Sequence, residues 1–271
     1  MKRRGFSLIE LLIVVVLLGI VGIGITRLLE SQMRFFQRST GGRDARAVTR
    51  NAVNFLRAEM RNIEPRGITA ATTTSIAVRL PYRLGVYCSA STGTFVPIDS
   101  LINATAVYAG YAYRDTASAG VWTYVTSSTA PVAGLAAACT AASPGMSTIT
   151  GGSVLTLTPA VAAVTGAPLE LFQTVTYSIG ASTLVSGRTA LWRTVAGGSA
   201  EEIAVPISSS SVLRFYVSGG TASQGTVPGA LSTISGIEFV MTAESERNSP
   251  GTNAPETSPA RVSIFFRNAV N

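Results

Sequence analysis

The sequence predicts an α+β protein: a long N-terminal α-helix, transmembrane in its first half and amphipathic in its second, packed on an antiparallel β-sheet head domain. Three observations carry that prediction. A cationic start, Met1-Lys2-Arg3-Arg4, precedes an unbroken apolar run over residues 11–25. Beyond it, Val48, Ala52, Phe55, Leu56, Met60 and Ile63 recur at spacings of three and four, which places them on one helix face. From Ile68 onward the chain turns to Thr, Ser, Ala, Gly and Val in short alternating segments separated by turn residues, a β signature.

The N-terminal element comes first. Counting 6–25 gives 20 residues, about 30 Å of helix, which matches a bilayer core. Lys2, Arg3 and Arg4 hold the start on the cytoplasmic side. Glu10 is the anomaly, because a carboxylate in an apolar stretch costs about 3 kcal/mol on insertion scales. An ordinary export signal, with Gly22 and Gly24 standing in for its small-residue cleavage site, and a plain signal-anchor helix both account for the apolar run. Neither gives Glu10 a role.

The run Arg4-Gly5-Phe6-Ser7-Leu8-Ile9-Glu10-Leu11-Leu12 resembles the prepilin cleavage and methylation signature of type IV pilins and type II secretion pseudopilins, and every position of the signature matches. The resemblance implies a pilin fold, cleavage between Gly5 and Phe6 by a membrane peptidase, and N-methylation of Phe6. It also implies that Glu10 pairs with the amino terminus of a neighbouring subunit. That pairing would satisfy two charges that are costly in low dielectric and would set the axial register of one helix against the next. A Glu10 snorkelling near the headgroups is the alternative for an unassembled subunit.

The helix is expected to continue to Pro65 and Gly67, which stop it. Run without interruption from Phe6 it would span about 87 Å. Gly41-Gly42 is expected to kink or break it. Strands are expected at 75–80, 107–113, 121–126, 154–158, 174–179, 189–195, 212–217, 234–242 and 261–267, with apolar faces formed by Leu213, Phe215 and Val217, by Ile237, Phe239 and Met241, and by Val262, Ile264 and Phe266. The polar stretch 243–259 reads as a long flexible loop between the last two strands. The expected division is therefore 1–5 leader peptide, 6–29 transmembrane and assembly helix, 30–66 its amphipathic continuation, and 67–271 a β-rich periplasmic or extracellular head.

The order of elements is similar to the W-type minor pilins and the J-type pseudopilins. The cues are Phe55-Leu56-Arg57-Ala58-Glu59-Met60-Arg61 near the helix end, Leu191-Trp192-Arg193 in a strand, and a last strand ending at Arg267-Asn268. The Ala/Thr/Ser-rich stretch 126–152 has no clear counterpart in that pattern and reads as an insertion.

Composition narrows the chemistry. The chain has no histidine, Lys2 is its only lysine, and its aspartates are Asp44, Asp99 and Asp115. A Ser-His-Asp or Cys-His system lacks its imidazole, and a phosphate loop lacks its lysine. Zinc held by Cys88 and Cys139 with carboxylates alone would be a poor site. Glu201 and Glu202 are adjacent, but neighbours in a strand point to opposite faces. No enzymatic activity, cofactor or metal is expected.

Cys88 and Cys139 lie past the membrane segment, where an oxidising periplasm permits a disulfide. Closing that loop would contribute about 4 kcal/mol in the chain-entropy model. Two buried thiols are the alternative.

The formal charge is +7. Removing Lys2, Arg3 and Arg4 leaves 18 basic residues against 14 acidic ones, or +4. Nine arginines fall between Arg27 and Arg66, against Glu30, Asp44, Glu59 and Glu64. They read as a solvated or headgroup-facing surface.

The expected role is a minor pilin or pseudopilin of a priming or tip complex. Its partners would be other major and minor pilins, the prepilin peptidase and methylase, the inner-membrane assembly platform and the inner membrane. The chain would sit in that membrane by one pass, with a periplasmic head, before entering a pilus or pseudopilus at the cell surface. A pilus-borne module that binds DNA or a surface, and a pseudopilin of type II secretion, are the other readings. Nucleic acid is a partner only under the DNA-uptake reading.

Overall fold

A computed structural model describes residues 8–89, 92–96, 106–114, 121–133, 153–160 and 165–266. Its first element is α1 (Leu8–Met60), 53 residues and about 80 Å long. The expected interruption at Gly41-Gly42 does not occur, since both glycines are helical. They serve a close approach instead: a Cβ on Gly41 would lie 3.1 Å from Ser245 Cβ on the sheet. The α-helix ends at Met60, short of Pro65. The chain then turns through Arg61 and Asn62 into a short 3-10 helix, Pro65–Gly67.

Among the described residues thirteen strands follow, in one sheet in which every named pairing is antiparallel. They are β1 (Ile68–Ala71), β2 (Ser75–Ser89), β3 (Thr92–Val96), β4 (Gly110–Arg114), β5 (Trp122–Thr126), β6 (Val132–Ala133), β7 (Ser153–Thr156), β8 (Pro168–Ala181), β9 (Thr189–Val195), β10 (Ala200–Ile207), β11 (Val212–Val217), β12 (Ile234–Asn248) and β13 (Pro255–Phe265). The spatial order is β11-β12-β10-β9-β8-β2-β3-β7-β6, with β1 on β2, β13 on β12, and the β4–β5 hairpin on β8.

Each strand expected from the sequence exists, most of them with shifted ends. Four elements went unforeseen: β1, β3, β6 and β10. In β10 the pair Glu201-Glu202 and Pro206 break the apolar alternation, and the strand carries register shifts between Glu202 and Ala204 and between Ala204 and Ile207. The expected flexible loop over 243–259 is overturned. β12 and β13 continue into it, pairing Glu244 with Thr257 and Asn248 with Pro255, and leave a turn of only six residues, 249–254. Its polar side chains bond one another. Ser245 Oγ accepts from Glu256 N–H at 2.9 Å and donates to Arg247 O at 2.6 Å, and Ser249 Oγ donates to Glu256 at 2.6 Å. Arg188 reaches in from the turn before β9 to Glu244 at 2.9 Å and Asn248 at 2.6 Å.

The main core lies between α1 and the sheet. Ala52, Leu56, Met60 and Ile63 from the helix side meet Val175, Tyr177, Leu191, Leu213, Phe215, Ile237, Phe239, Met241, Val262 and Ile264. The apolar faces expected on β11, β12 and β13 point into it except for Val217, which is half-buried and leaves the β11 alternation where the pairing with β12 shifts between Tyr216 and Val217. A smaller cluster, Tyr111, Leu157, Leu169 and Leu171, forms under the β4–β5 hairpin. That hairpin depends on Gly110, whose φ is +148° and whose Cβ would sit 2.2 Å from Val125 O; only glycine fits. Leu169 to Gln173 of β8 are therefore buried on both faces.

Leu56 has no exposed surface, so Leu56→Ala should lower head stability by about 3 kcal/mol through lost transfer energy and the cavity left behind. Urea denaturation of the detergent-solubilised chain, followed by tryptophan fluorescence, measures it. Leu184→Ala, at a position 72 % exposed, should change the midpoint little.

Candidate assembly helix and its anchor on the head

The apolar residues in the first half of α1 are exposed on every side. From Leu8 to Phe36 the large hydrophobic side chains retain half or more of their surface, and none of the most apolar window packs on the head. A helix that is apolar all round requires lipid or other apolar helices as its surroundings. Its length and composition suffice for one membrane crossing. Glu10 is exposed in the first described turn of α1, where the helix dipole favours a carboxylate. Gly5 and Phe6 lie outside the described residues.

The other end of α1 is fixed to the sheet by a charged clamp that sequence reading did not foresee. Arg193 of β9 donates to Glu59 in bidentate fashion, Nε to Oε2 at 3.0 Å and Nη2 to Oε1 at 3.1 Å, while its Nη1 reaches Glu201 Oε1 at 3.0 Å. Tyr177 of β8 donates its hydroxyl to the same Glu59 carboxylate. Arg193 and Glu59 are about 85 % buried, their side chains keeping 14 % and 15 % of their exposure. Burial alone would lower the Arg193 guanidinium, but the Glu59 hydrogen bonds and charge hold it above its ordinary value. The Tyr177 hydroxyl is pushed well up by burial and by Glu59. Both cues were visible as sequence, Glu59 in the helix-end segment and Arg193 in the strand; their meeting was not. Farther down the helix, Thr49 Oγ1 donates to Ser258 O at 3.1 Å and Arg38 to Pro250 O at 3.3 Å.

Glu201 and Glu202 point to opposite faces as expected. Glu201 joins the clamp, while Glu202 closes the turn after β8, accepting from Ser182 Oγ at 2.7 Å and Thr183 N–H at 2.5 Å. They form no acid/base pair. Among the described carboxylic acids the one most displaced is Glu170 of β8, 4 % exposed. Burial, with Glu64 nearby, pushes its carboxyl up to about 8. Beside this cluster the Arg79 guanidinium lies 4.8 Å from the Tyr124 ring centre and 5.6 Å from that of Phe172. With so little exposure, Glu170 is a structural group held neutral under the β4–β5 hairpin.

Cys88 is fully buried and disulfide-bonded. Cys139 lies outside the described residues, as do 134–152 of the insertion-like stretch and Arg267-Asn268. Among the described residues no cluster of His, Cys, Asp and Glu could hold a metal ion.

With this geometry in place, the comparisons with known proteins bear on the N-terminal end. Residues 1–26 match the family model for the prokaryotic N-terminal methylation motif. That match supports a type IV pilin-like prepilin, a substrate of the prepilin peptidase that assembles with other pilins. No curated protein and no solved structure matches the chain.

Two measurements follow from the anchor and from Glu170. Glu59→Ala leaves Arg193 and Tyr177 buried with fewer partners and should cost about 2–4 kcal/mol of head stability; urea midpoints report it. For Glu170, whose carboxyl is raised in the fold from an ordinary 4.5 to about 8, the folded state holds the proton more tightly than the unfolded one. The stability from that proton is fully present below pH 4.5 and is lost as pH rises through 8. Glu170→Gln should flatten the pH dependence of the urea midpoint between those limits and leave the variant at least as stable as the parent at the upper one.

Proposed function

We propose that the chain is a minor pilin-like structural subunit, cut between Gly5 and Phe6, methylated on the new Phe6 amine, and assembled through α1 into a type IV pilus or related filament. The observation that carries the reading is the combination of a methylation motif over residues 1–26 with Glu10 set in a helix that is apolar on every side. Such a helix waits for neighbours in lipid or in a filament. A neighbouring subunit's Phe6 amine would offset the cost of Glu10, about 3 kcal/mol on insertion scales, and would fix how far one helix slides along the next. In this reading the prepilin peptidase and methylase act on the N-terminus at the inner membrane. The head is periplasmic until an inner-membrane platform moves the subunit into the filament. A head built on 13 strands favours a minor subunit at the tip over one repeated along a shaft. Cys139 serves as the disulfide partner of Cys88 in the same reading, closing the loop that contains β3 to β6.

Intact-mass analysis of the mature protein should find a chain beginning at N-methyl-Phe6, and a retained Met1 or a start well downstream would refute the processing. Glu10→Ala should leave cleavage intact but reduce incorporation into sheared filaments at least tenfold; normal incorporation would refute the pairing. Non-reducing peptide mapping should recover the Cys88 and Cys139 peptides joined.

A further inference from the structure

The outward face of the docked half of α1 carries Arg43, Arg46, Arg50 and Arg57, continued by Arg61 in the turn that follows, whose N–H still bonds Arg57 O at 3.4 Å. At 100° per residue these five lie within about 60° of one another around the axis, centred about 140° from the face that buries Ala45, Ala52 and Leu56. All five are exposed. The ion pairs among the described residues belong to Arg34, Arg188, Arg193 and Arg214 instead. The carboxylates on the docked half of α1 lie off this face: Asp44 stands about 120° around the axis from its centre and Glu59 is held by Arg193, while Glu30, nearer the apolar span, pairs with Arg34. Beside the far end of the stripe, a groove of about 480 Å³ is lined by Asn54, Arg57, Ala58, Arg61, Ser263 and Phe265, and Phe265 is 57 % exposed.

We infer that this arginine stripe is the docking face for the extramembrane helix of a different, single-pass subunit that carries acidic residues at matching spacing. The inference rests on reading α1 as an assembly helix. Lipid is a poor fit for the stripe. It begins 18 residues beyond Ile25, about 27 Å farther along an unbroken helix, more than three Debye lengths of about 8 Å from the apolar span. Arg27, Arg34 and Arg38 occupy the nearer positions. A second copy of this chain is opposed as well, because a parallel copy staggered by the four residues between Phe6 and Glu10 brings Arg46 beside Arg50 and Arg57 beside Arg61, and like charges repel. A neighbour that packs beside residues 8–25 is carried by the shared axis past 43–61, so its own helix is what meets the stripe. Guanidinium groups favour carboxylates there because they bind them in bidentate geometry. The groove at Arg57 and Arg61 adds an apolar wall, Phe265, at the end of the contact.

The test uses full-length chains in one detergent, with a tagged wild type mixed with either wild type or the variant R43E/R46E/R50E/R57E/R61E, which stands in for an acidic partner. Co-purification of wild type with the reversed chain should exceed that of wild type with itself at least tenfold near 0.05 M salt. The excess should vanish by about 0.5 M, where screening is short-ranged. The five-fold Arg→Gln variant, which removes charge without reversing it, should show no such excess, and circular dichroism should be unchanged in both variants. Equal association of wild type with itself and with the reversed chain would overturn the proposal. So would binding of a DNA duplex or of phosphatidylglycerol vesicles that is lost on charge reversal, which would assign the stripe to phosphates. Failure of the assembly reading itself appears separately, as a mature N-terminus that does not begin at Phe6.

Discussion

One helix has to live in two solvents, and the structure follows from that constraint. Over residues 11–25 α1 offers only apolar surface in every direction, so any stable environment for that stretch is lipid or other apolar helices. Over its second half it presents one narrow apolar face to the sheet and arginines to the outside. The point at which the head grips the helix must therefore resist whatever force the membrane half transmits. Glu59, Arg193 and Tyr177 occupy that point, near the end of α1, with Glu201 as outer support.

A charged clamp suits the position for a physical reason. Apolar contacts such as Leu56 against the sheet hold the helix down but tolerate sliding and rotation, because dispersion and burial are non-directional. A bidentate guanidinium–carboxylate pair fixes both rotation and height. Once the helix cannot rotate, its outer face acquires a fixed direction, and Arg43, Arg46, Arg50, Arg57 and Arg61 form a stripe with a definite orientation relative to the head. At the other end, Gly41 lets the β12–β13 hairpin come close enough for Ser245 to touch the helix, and Arg38 and Thr49 add hydrogen bonds there.

The sheet serves this arrangement through its two longest-reaching pairs. β2 with β8 carries the main core at one end and the small Tyr111–Leu169 cluster at the other. β12 with β13 supplies both the apolar face under the helix and the polar hairpin beside Gly41. The hairpin explains why polar composition misled: Ser245 and Ser249 bond Glu256 across it, and Arg188 bonds Glu244 and Asn248. Such cross-strand bonding leaves no alternating apolar trace in the sequence. β10 escaped notice for a related reason: the pleat sends Glu201 and Glu202 to opposite faces, and the bulges that follow bring both Ala204 and Ile207 to the core although they are an odd number of residues apart.

The linear sequence by itself determined the α+β class, the helical stripe of Ala52, Leu56 and Met60, the inward faces of β11, β12 and β13, and the methylation motif with its acidic Glu10. All of these are periodic or contiguous signals, legible because side-chain direction repeats every 3.6 or 2 residues along a known element. Only the tertiary structure decided that α1 runs straight through Gly41-Gly42, that 243–259 is mostly strand, and that Glu59 meets Arg193 across 134 positions of chain. A glycine is a break or a close contact depending on what packs against it. An ion pair between distant segments has no local signature, because its energy depends on a distance that the order of residues does not contain.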